Sequence, residues 1–272
     1  VVTIVSGRHE HLRRQHAGLA ASTLAPHDHI VVGMGDPLDD WAPAAPRPTI
    51  VHLDAPGPLP LAAARNLGAH RAIEGGAELV VFLDVDCIPA PQMLARYADA
   101  AAAHPLTVLT GAVGYLPAHT DYARPERFAE VAHVHGFRPR PVAGVVEPGR
   151  HELFWSLSFA VTPETWRRLG GFHEGYTGYG AEDTDLGMTA RDAGIPVAWV
   201  GGAEAFHQYH ETHDPPVQHL HDILRNGGEF ARRWGFWPMR GWLDEFAARG
   251  LVHLDPRTGD YSAAPSTTGA TP

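Results

Sequence analysis

Three short stretches of this chain set acids and imidazoles at spacings that could do chemistry. In the first, the apolar run Val80-Val81-Phe82-Leu83 ends in Asp84-Val85-Asp86-Cys87-Ile88-Pro89, two carboxylates separated by one residue with a proline behind them. That reads as a buried parallel strand whose carboxyl end delivers acids to a site. Open α/β sheets bind ligands at those ends, and hard divalent cations take oxygen ligands, so Asp84 and Asp86 suit a cation and phosphate anchor; an ordinary strand-to-loop turn has the same spelling. In the second stretch the glycine-rich Gly175-Tyr176-Thr177-Gly178-Tyr179-Gly180-Ala181 runs into Glu182-Asp183. Acids there either cap the following helix at its positive dipole end or face a ligand that the glycines let approach. In the third, His207 and His210 lie three residues apart, a spacing that turns two imidazoles toward one ion on a bent or helical backbone and that two structural histidines also satisfy.

The elements that must position these groups alternate in kind. Strands are expected at residues 1–5, 29–35, 49–53, 80–83, 106–115, 153–161 and 197–200. Helices are expected from His9, over 61–73, over 91–103, at 166–169, from Glu182 to Ala193, and as amphipathic segments over 216–233 and 238–248. Strand, glycine turn and helix at the start open a βαβ unit, and no linker interrupts the alternation. The expectation is one α/β domain over residues 1–261: a mostly parallel central sheet flanked by helices, plus C-terminal helices. Its nucleotide-binding half spans about 1–115 and its acceptor and metal half about 150–250. The proline-rich loop 37–48 is expected to wrap the surface, the 117–149 region carries no readable periodicity, and the Ala/Ser/Thr/Pro/Gly tail 262–272 is expected to be disordered.

Composition narrows the chemistry. With 272 residues, 44% of them hydrophobic, the chain can bury a substantial core. Its formal charge is −10 and all 21 basic side chains are arginine, which excludes a lysine base or Schiff base and argues against nucleic acid or a polybasic membrane contact. Cys87 is the one cysteine, so no intrachain disulfide or cysteine metal cluster can form, and it reads as a small apolar residue beside the acids. No run approaches the roughly 18 apolar residues of a membrane span and the first residues do not read as a signal peptide, so a cytoplasmic protein without a transmembrane segment is expected.

Taken in order, the motifs resemble a known family. Arg8-His9-Glu10-His11-Leu12 is similar to the R-x-E-H-L after the first strand of the β1,4-galactosyltransferases, Asn66-Leu67-Gly68 to their N-x-G, and Asp84-Val85-Asp86-Cys87-Ile88-Pro89 to their D-V-D-x-I-P. Thr177-Gly178-Tyr179-Gly180-Ala181-Glu182-Asp183-Thr184-Asp185 resembles their W-G-W-G-G-E-D-D-D with four replacements, and His207-Gln208-Tyr209-His210 falls where they have M-x-x-H. Ala64-Arg65-Asn66-Leu67-Gly68 also looks like bacterial inverting family 2 glycosyltransferases, and residues 117–149 match neither group.

The resemblance implies a GT-A (Rossmann-like) fold and an inverting, metal-dependent transfer of a hexose, galactose-type favoured, from a nucleotide-diphosphate sugar, UDP-hexose favoured. The acceptor would be a hydroxyl on a glycan or small molecule. It implies Asp86, His207 and His210 as ligands of Mn2+ or Mg2+, Asp84 against the ribose or the ion's water shell, Asp183 as general base and Glu182 on sugar hydroxyls. Arg8 would contact the nucleotide with support from Arg65 and Asn66, and Phe154 and Trp155 would stack on the hexose. The chain departs from the pattern where Gly33-Met34-Gly35-Asp36 stands in place of the base-binding acids and where Thr177 and Tyr179 replace tryptophans. Two other readings use the same residues: a metal-dependent sugar-nucleotide hydrolase, whose product needs no acceptor, and a non-catalytic sugar-nucleotide or glycan-binding module.

Overall fold

Val2–Val5 (β1) and Ile30–Met34 (β2) are buried along their whole length, as β-branched runs between two helical layers must be. The structure is a computed structural model that describes residues 1–39, 41, 43 and 47–264. Between β1 and β2 lies α1 (His9–Ala20); Thr49–Leu53 (β3), α2 (Leu61–Glu74) and Val80–Leu83 (β4) follow. Then come Cys87–Pro89 (β5), α3 (Met93–Ala103), Val108–Tyr115 (β6), α4 (Phe128–Val131), His133–Val134 (β7) and Val146–Pro148 (β8). Ser158–Val161 (β9), α5 (Pro163–Leu169), α6 (Glu182–Asp192), Val197–His207 (β10), α7 (Leu220–Trp234), α8 (Arg240–Ala248), and the hairpin Val252–Leu254 (β11) and Tyr261–Ala263 (β12) complete the order.

A 10-stranded sheet runs β3-β2-β1-β4-β9-β6-β10-β5, with β7 on β6 and β8 on β10. The expected α/β domain is present, but its sheet is more mixed than the motifs suggest. Pairings among β3, β2, β1 and β4 are parallel, whereas β9 enters antiparallel between β4 and β6, and β5 pairs antiparallel with the end of β10. This reversal matters for the site. Ser158 of β9 pairs with Leu83 of β4, so β9 starts at the end where β4 delivers Asp84, and the residues just before it land beside the acids.

Two strand expectations shift. Only Ser158–Val161 of the expected 153–161 run is a strand; Leu153 ends a 3-10 turn and Phe154 to Leu157 cross toward the site. β10 continues past Val200 to His207 because Gly201 and Gly202 make a bulge instead of an end. The register against β6 shifts between Val200 and Ala205, and Gly202 adopts φ +85°, a region that favours glycine. Leu38 and Trp41 tuck into a small core with Leu12 and Val85, so the start of the proline-rich loop is buried; residues 40, 42 and 44–46 of that loop lie outside the described residues. Ser262 and Ala263 belong to β12, and the rest of the expected tail, 265–272, lies outside the described residues.

The main core joins both halves of the sheet. Phe82 of β4 stacks on Phe159 of β9 at 4.4 Å, with Trp166 of α5 at 5.0 Å and Phe154 edge-on to Phe159 at 5.1 Å. α2 lies close against β1 and β2 because Gly68 offers no side chain: a Cβ there would sit 2.3 Å from Val2 Cγ1 and 3.2 Å from Val32 Cγ2. Overpacking such a contact costs about 1–3 kcal/mol. Gly68→Val is therefore expected to lower the free energy of unfolding by that amount, read as a lower urea midpoint at unchanged m-value; an unshifted midpoint would show that α2 can move off the sheet.

Candidate active site

Asp84 and Asp86 follow the end of β4, and the pairing of β5 with β10 brings the histidines to Asp86. His207 pairs with Cys87, and the Gln208 N–H donates to the Asp86 carbonyl at 2.6 Å. His207 Nε2 lies 3.5 Å from Asp86 Oδ1 and His210 Nε2 3.6 Å from Oδ2. Each of the three can offer one ligand atom, and these atoms all lie within 4.8 Å of one another. One carboxylate oxygen and two imidazole nitrogens could hold a divalent ion.

Arg8, at the left-handed residue that begins α1, also pairs with Asp86. Burial alone would push the Asp86 carboxyl up; the His210 contact and the charges of His207 and Arg8 outweigh it and hold the group well below the usual carboxylate range. His207 is lowered by burial, with Asp86 opposing.

A second cluster of charge centres on Arg65 of α2, which is 5% exposed. It donates to Asp84 Oδ1 at 3.0 Å and to Glu182 Oε1 at 3.3 Å. Asp84 therefore turns away from the three metal-type ligands toward Arg65. Burial pushes Asp84 up to about 6 and Glu182 up to about 7, each against the pull of Arg65 and with the neighbouring carboxylates adding to the rise. Glu182 is held under Arg65 as a buried group. Asp183, the next residue on α6, is held by one residue: the Ser156 N–H donates to its Oδ2 at 3.1 Å and the Ser156 hydroxyl to its Oδ1 at 2.7 Å.

Other expected site residues are placed differently. Phe154 is 1% exposed in the main core, so it has no free face for a sugar; its neighbour Trp155 is only partly buried and takes the outward position that chain alternation gives it. Asn66 spends its amide on structure, accepting from the Phe172 N–H at 2.8 Å and donating to the Phe172 carbonyl at 2.9 Å and to Glu174 at 2.8 Å. It joins α2 to the turn after α5.

Several positioning residues were missed by motif reading. Gln15 is fully buried and its amide nitrogen donates to the carbonyls of Asp84 at 2.7 Å and Cys87 at 3.1 Å, while its oxygen accepts from Thr3. Gln208, also buried, donates to the His11 carbonyl at 3.0 Å. Asn226 of α7 donates to the carbonyls of Thr177, Tyr179 and Gly180 and so fixes the glycine loop ahead of α6. Asp185, one turn into α6, is clasped by Tyr176, Arg233 and Trp234, which seats α6 against α7. The signal for Gln15 and Asn226 was an amide on the buried face of a helix, where a polar group needs a partner.

The fold is of the GT-A glycosyltransferase type. A crystal structure of GalNAc-T7 with UDP, GalNAc and Mn2+ superposes with a TM-score of 0.58 over 91% of this chain and 56% of that one, at 12% identity, a likeness of fold. In sequence, residues 148–214 match the family described as the N-terminal domain of galactosyltransferase. The chain is 30% identical over 199 residues to validoxylamine A glucosyltransferase of Streptomyces hygroscopicus subsp. jinggangensis (strain 5008), covering 64% of this chain and 44% of that protein. It is likewise 30% identical over 199 residues to validoxylamine A glucosyltransferase of subsp. limoneus, covering 64% of this chain and 41% of that protein. The chain thus spans less than half the length of the curated relatives it matches. Among the described residues no helix is long and apolar enough to cross a membrane.

Outer residues that orient metal ligands typically carry about 10–100-fold of metal affinity. Gln15→Leu, which frees the Asp84 and Cys87 carbonyls, is expected to weaken Mn2+ binding by about tenfold in titration calorimetry. Unchanged affinity would mean that the turn holds its shape without the amide.

Proposed function

We propose that this chain is the catalytic domain of an inverting, divalent-cation-dependent glycosyltransferase that moves a hexose from a UDP-linked donor to an acceptor hydroxyl. The observation that carries the reading is the convergence of Asp86, His207 and His210, with a separately held carboxylate, Asp183, on the other side of Asp84, whose carboxyl feels the charges of both Asp86 and Asp183. One group of residues serves the leaving group and the other the incoming nucleophile. The relatives support the reading through what they are named for: a glucosyl transfer in the two curated proteins, and UDP, GalNAc and Mn2+ in the solved structure. Sugar identity stays within the hexose class that these names share.

In this reading Asp86, His207 and His210 hold Mn2+, with Mg2+ the harder substitute, and the bound ion supplies charge neutralisation for the departing diphosphate. Arg8 adds a cation at the same place and turns from Asp86 to the nucleotide. Arg65 fixes Asp84 and Glu182, so two raised carboxyls lie beside the donor without free charge. Asp183 accepts the acceptor's hydroxyl proton as that oxygen attacks the anomeric carbon from the face opposite the leaving diphosphate. Both Asp183 oxygens are already oriented by Ser156, which leaves their remaining lone pairs for the incoming hydroxyl. Trp155 is the aromatic placed to border the sugar.

Two measurements test the proposal. Asp183→Asn is expected to lower acceptor-dependent turnover by about 100-fold or more while UDP affinity stays unchanged. Turnover that persists, or product that forms equally fast with no acceptor present, would point to hydrolysis. In a thermal-shift screen of UDP-glucose, UDP-galactose and UDP-GalNAc, stabilisation is expected only with Mn2+ present and is expected to vanish in Asp86→Ala; undiminished nucleotide binding in excess chelator overturns the metal role.

A further inference from the structure

Arg138 lies in the 117–149 segment, which matches none of the motifs, yet it contacts the segment that carries Ser156, the partner of the candidate base. It is 5% exposed, and no carboxylate among the described residues pairs with it. Its Nε and Nη1 find no hydrogen-bond partner, and Nη2 donates to the Leu153 carbonyl at 3.3 Å. The guanidinium is stacked between two indoles, 4.6 Å from the Trp155 ring centre and 4.7 Å from that of Trp199 on β10. Burial pulls its pKa down to about 10, resisted by the charge of groups around it, Tyr115 and Asp183 foremost. A methionine or leucine would fill the slot between two indoles without the cost of desolvating a cation. A buried charge with unpaired nitrogens calls for a use.

The contacts of Arg138 and those of Asp183 meet in one short segment. Leu153 accepts from Arg138, Trp155 stacks on it, and the next residue, Ser156, holds both oxygens of Asp183. Further on, the Leu157 carbonyl accepts from the Asp84 N–H at 3.0 Å, so the same segment is pinned to the acid-bearing turn at its other end. We propose that Arg138 is a positioning residue of the transfer site: it fixes the 153–156 segment so that Ser156 presents the Asp183 carboxylate in one orientation. The 117–149 segment is then part of the catalytic apparatus through a single side chain. The kinetic part of this inference rests on the reading of Asp183 as the base; the structural part does not.

Arg138→Met and Arg138→Lys test it. In a crystal structure of Arg138→Met the Ser156 contacts to Asp183 are expected to be broken or displaced. Its kcat is expected to fall about 100-fold while donor KM and UDP affinity stay within about threefold, and Arg138→Lys, which keeps the charge without the planar stack, should recover about tenfold of the loss. Intact Ser156 contacts in Arg138→Met overturn the proposal, as does a kcat within about threefold of the parent or a loss of UDP affinity that matches the loss of rate. Should Arg138→Met fail to fold, Arg138→Lys decides by the same split: lower kcat at constant donor KM supports the role, and unchanged kcat rejects it. If the parent protein transfers to no acceptor, the functional reading fails by itself and the Ser156–Asp183 geometry in the variant still decides the role of Arg138.

Discussion

Everything at the candidate site depends on the antiparallel pairing of three residues, Cys87–Pro89, with the last three of β10. Asp86 and His207 are far apart in sequence, and that short ladder is what makes them neighbours. Its register is demanding, because a slip by one residue would turn His207 to the opposite face of the sheet. Three hydrogen bonds lock it from outside the ladder: Gln208 N–H to Asp86, Leu116 N–H to the His207 carbonyl, and the Gln15 amide to the Asp84 carbonyl. The bulge at Gly201 and Gly202 serves the same end, since it resets the long strand so that its last turn meets both β6 and β5.

Charge is distributed around this register in two separate groups. Asp86 sits among Arg8, His207 and His210 and is the strongly stabilised carboxylate, while Asp84 and Glu182 share Arg65 and are pushed toward the neutral form. Two acids with one residue between them thereby acquire opposite protonation tendencies, because the chain leaves β4 in a turn, closed by the Cys87 N–H donating to the Asp84 carbonyl, and the two side chains meet different cations. Asp183 feels the charge of Arg65 but makes no hydrogen bond to either group. Its partners are a backbone N–H and a hydroxyl from a segment that the antiparallel entry of β9 brings alongside.

How much of this was legible in the sequence follows from how local each feature is. The D-x-D at the end of an apolar run, the acid pair after a glycine loop and the two histidines could be seen because each motif is complete within ten residues. Their assembly could not be read from spacing, and neither could the division of roles between Asp84 and Asp86. The mixed sheet escaped because β9 is short and its direction is set by its partners; Leu153 to Leu157 resemble a strand only because crossing segments near a core are also apolar. Phe154 and Trp155 look interchangeable on paper, yet alternation buries one against Phe159 and leaves the other partly exposed over Arg138. Gln15, Ser156 and Asn226 carry no motif, since each acts on backbone or side-chain groups remote in sequence.

The clasp of α7 on the glycine loop bears on what can be called a unit in this protein. The stretch that carries the family's signature ends at residue 214, whereas the carbonyls of Thr177, Tyr179 and Gly180 take their donor from Asn226, and Asp185 takes Arg233 and Trp234. A chain cut where the signature ends would keep the acids and lose the scaffold that aims them. The recognisable part of the sequence and the autonomous part of the molecule therefore have different borders: the module that could be exchanged between proteins of this class extends at least through Trp234.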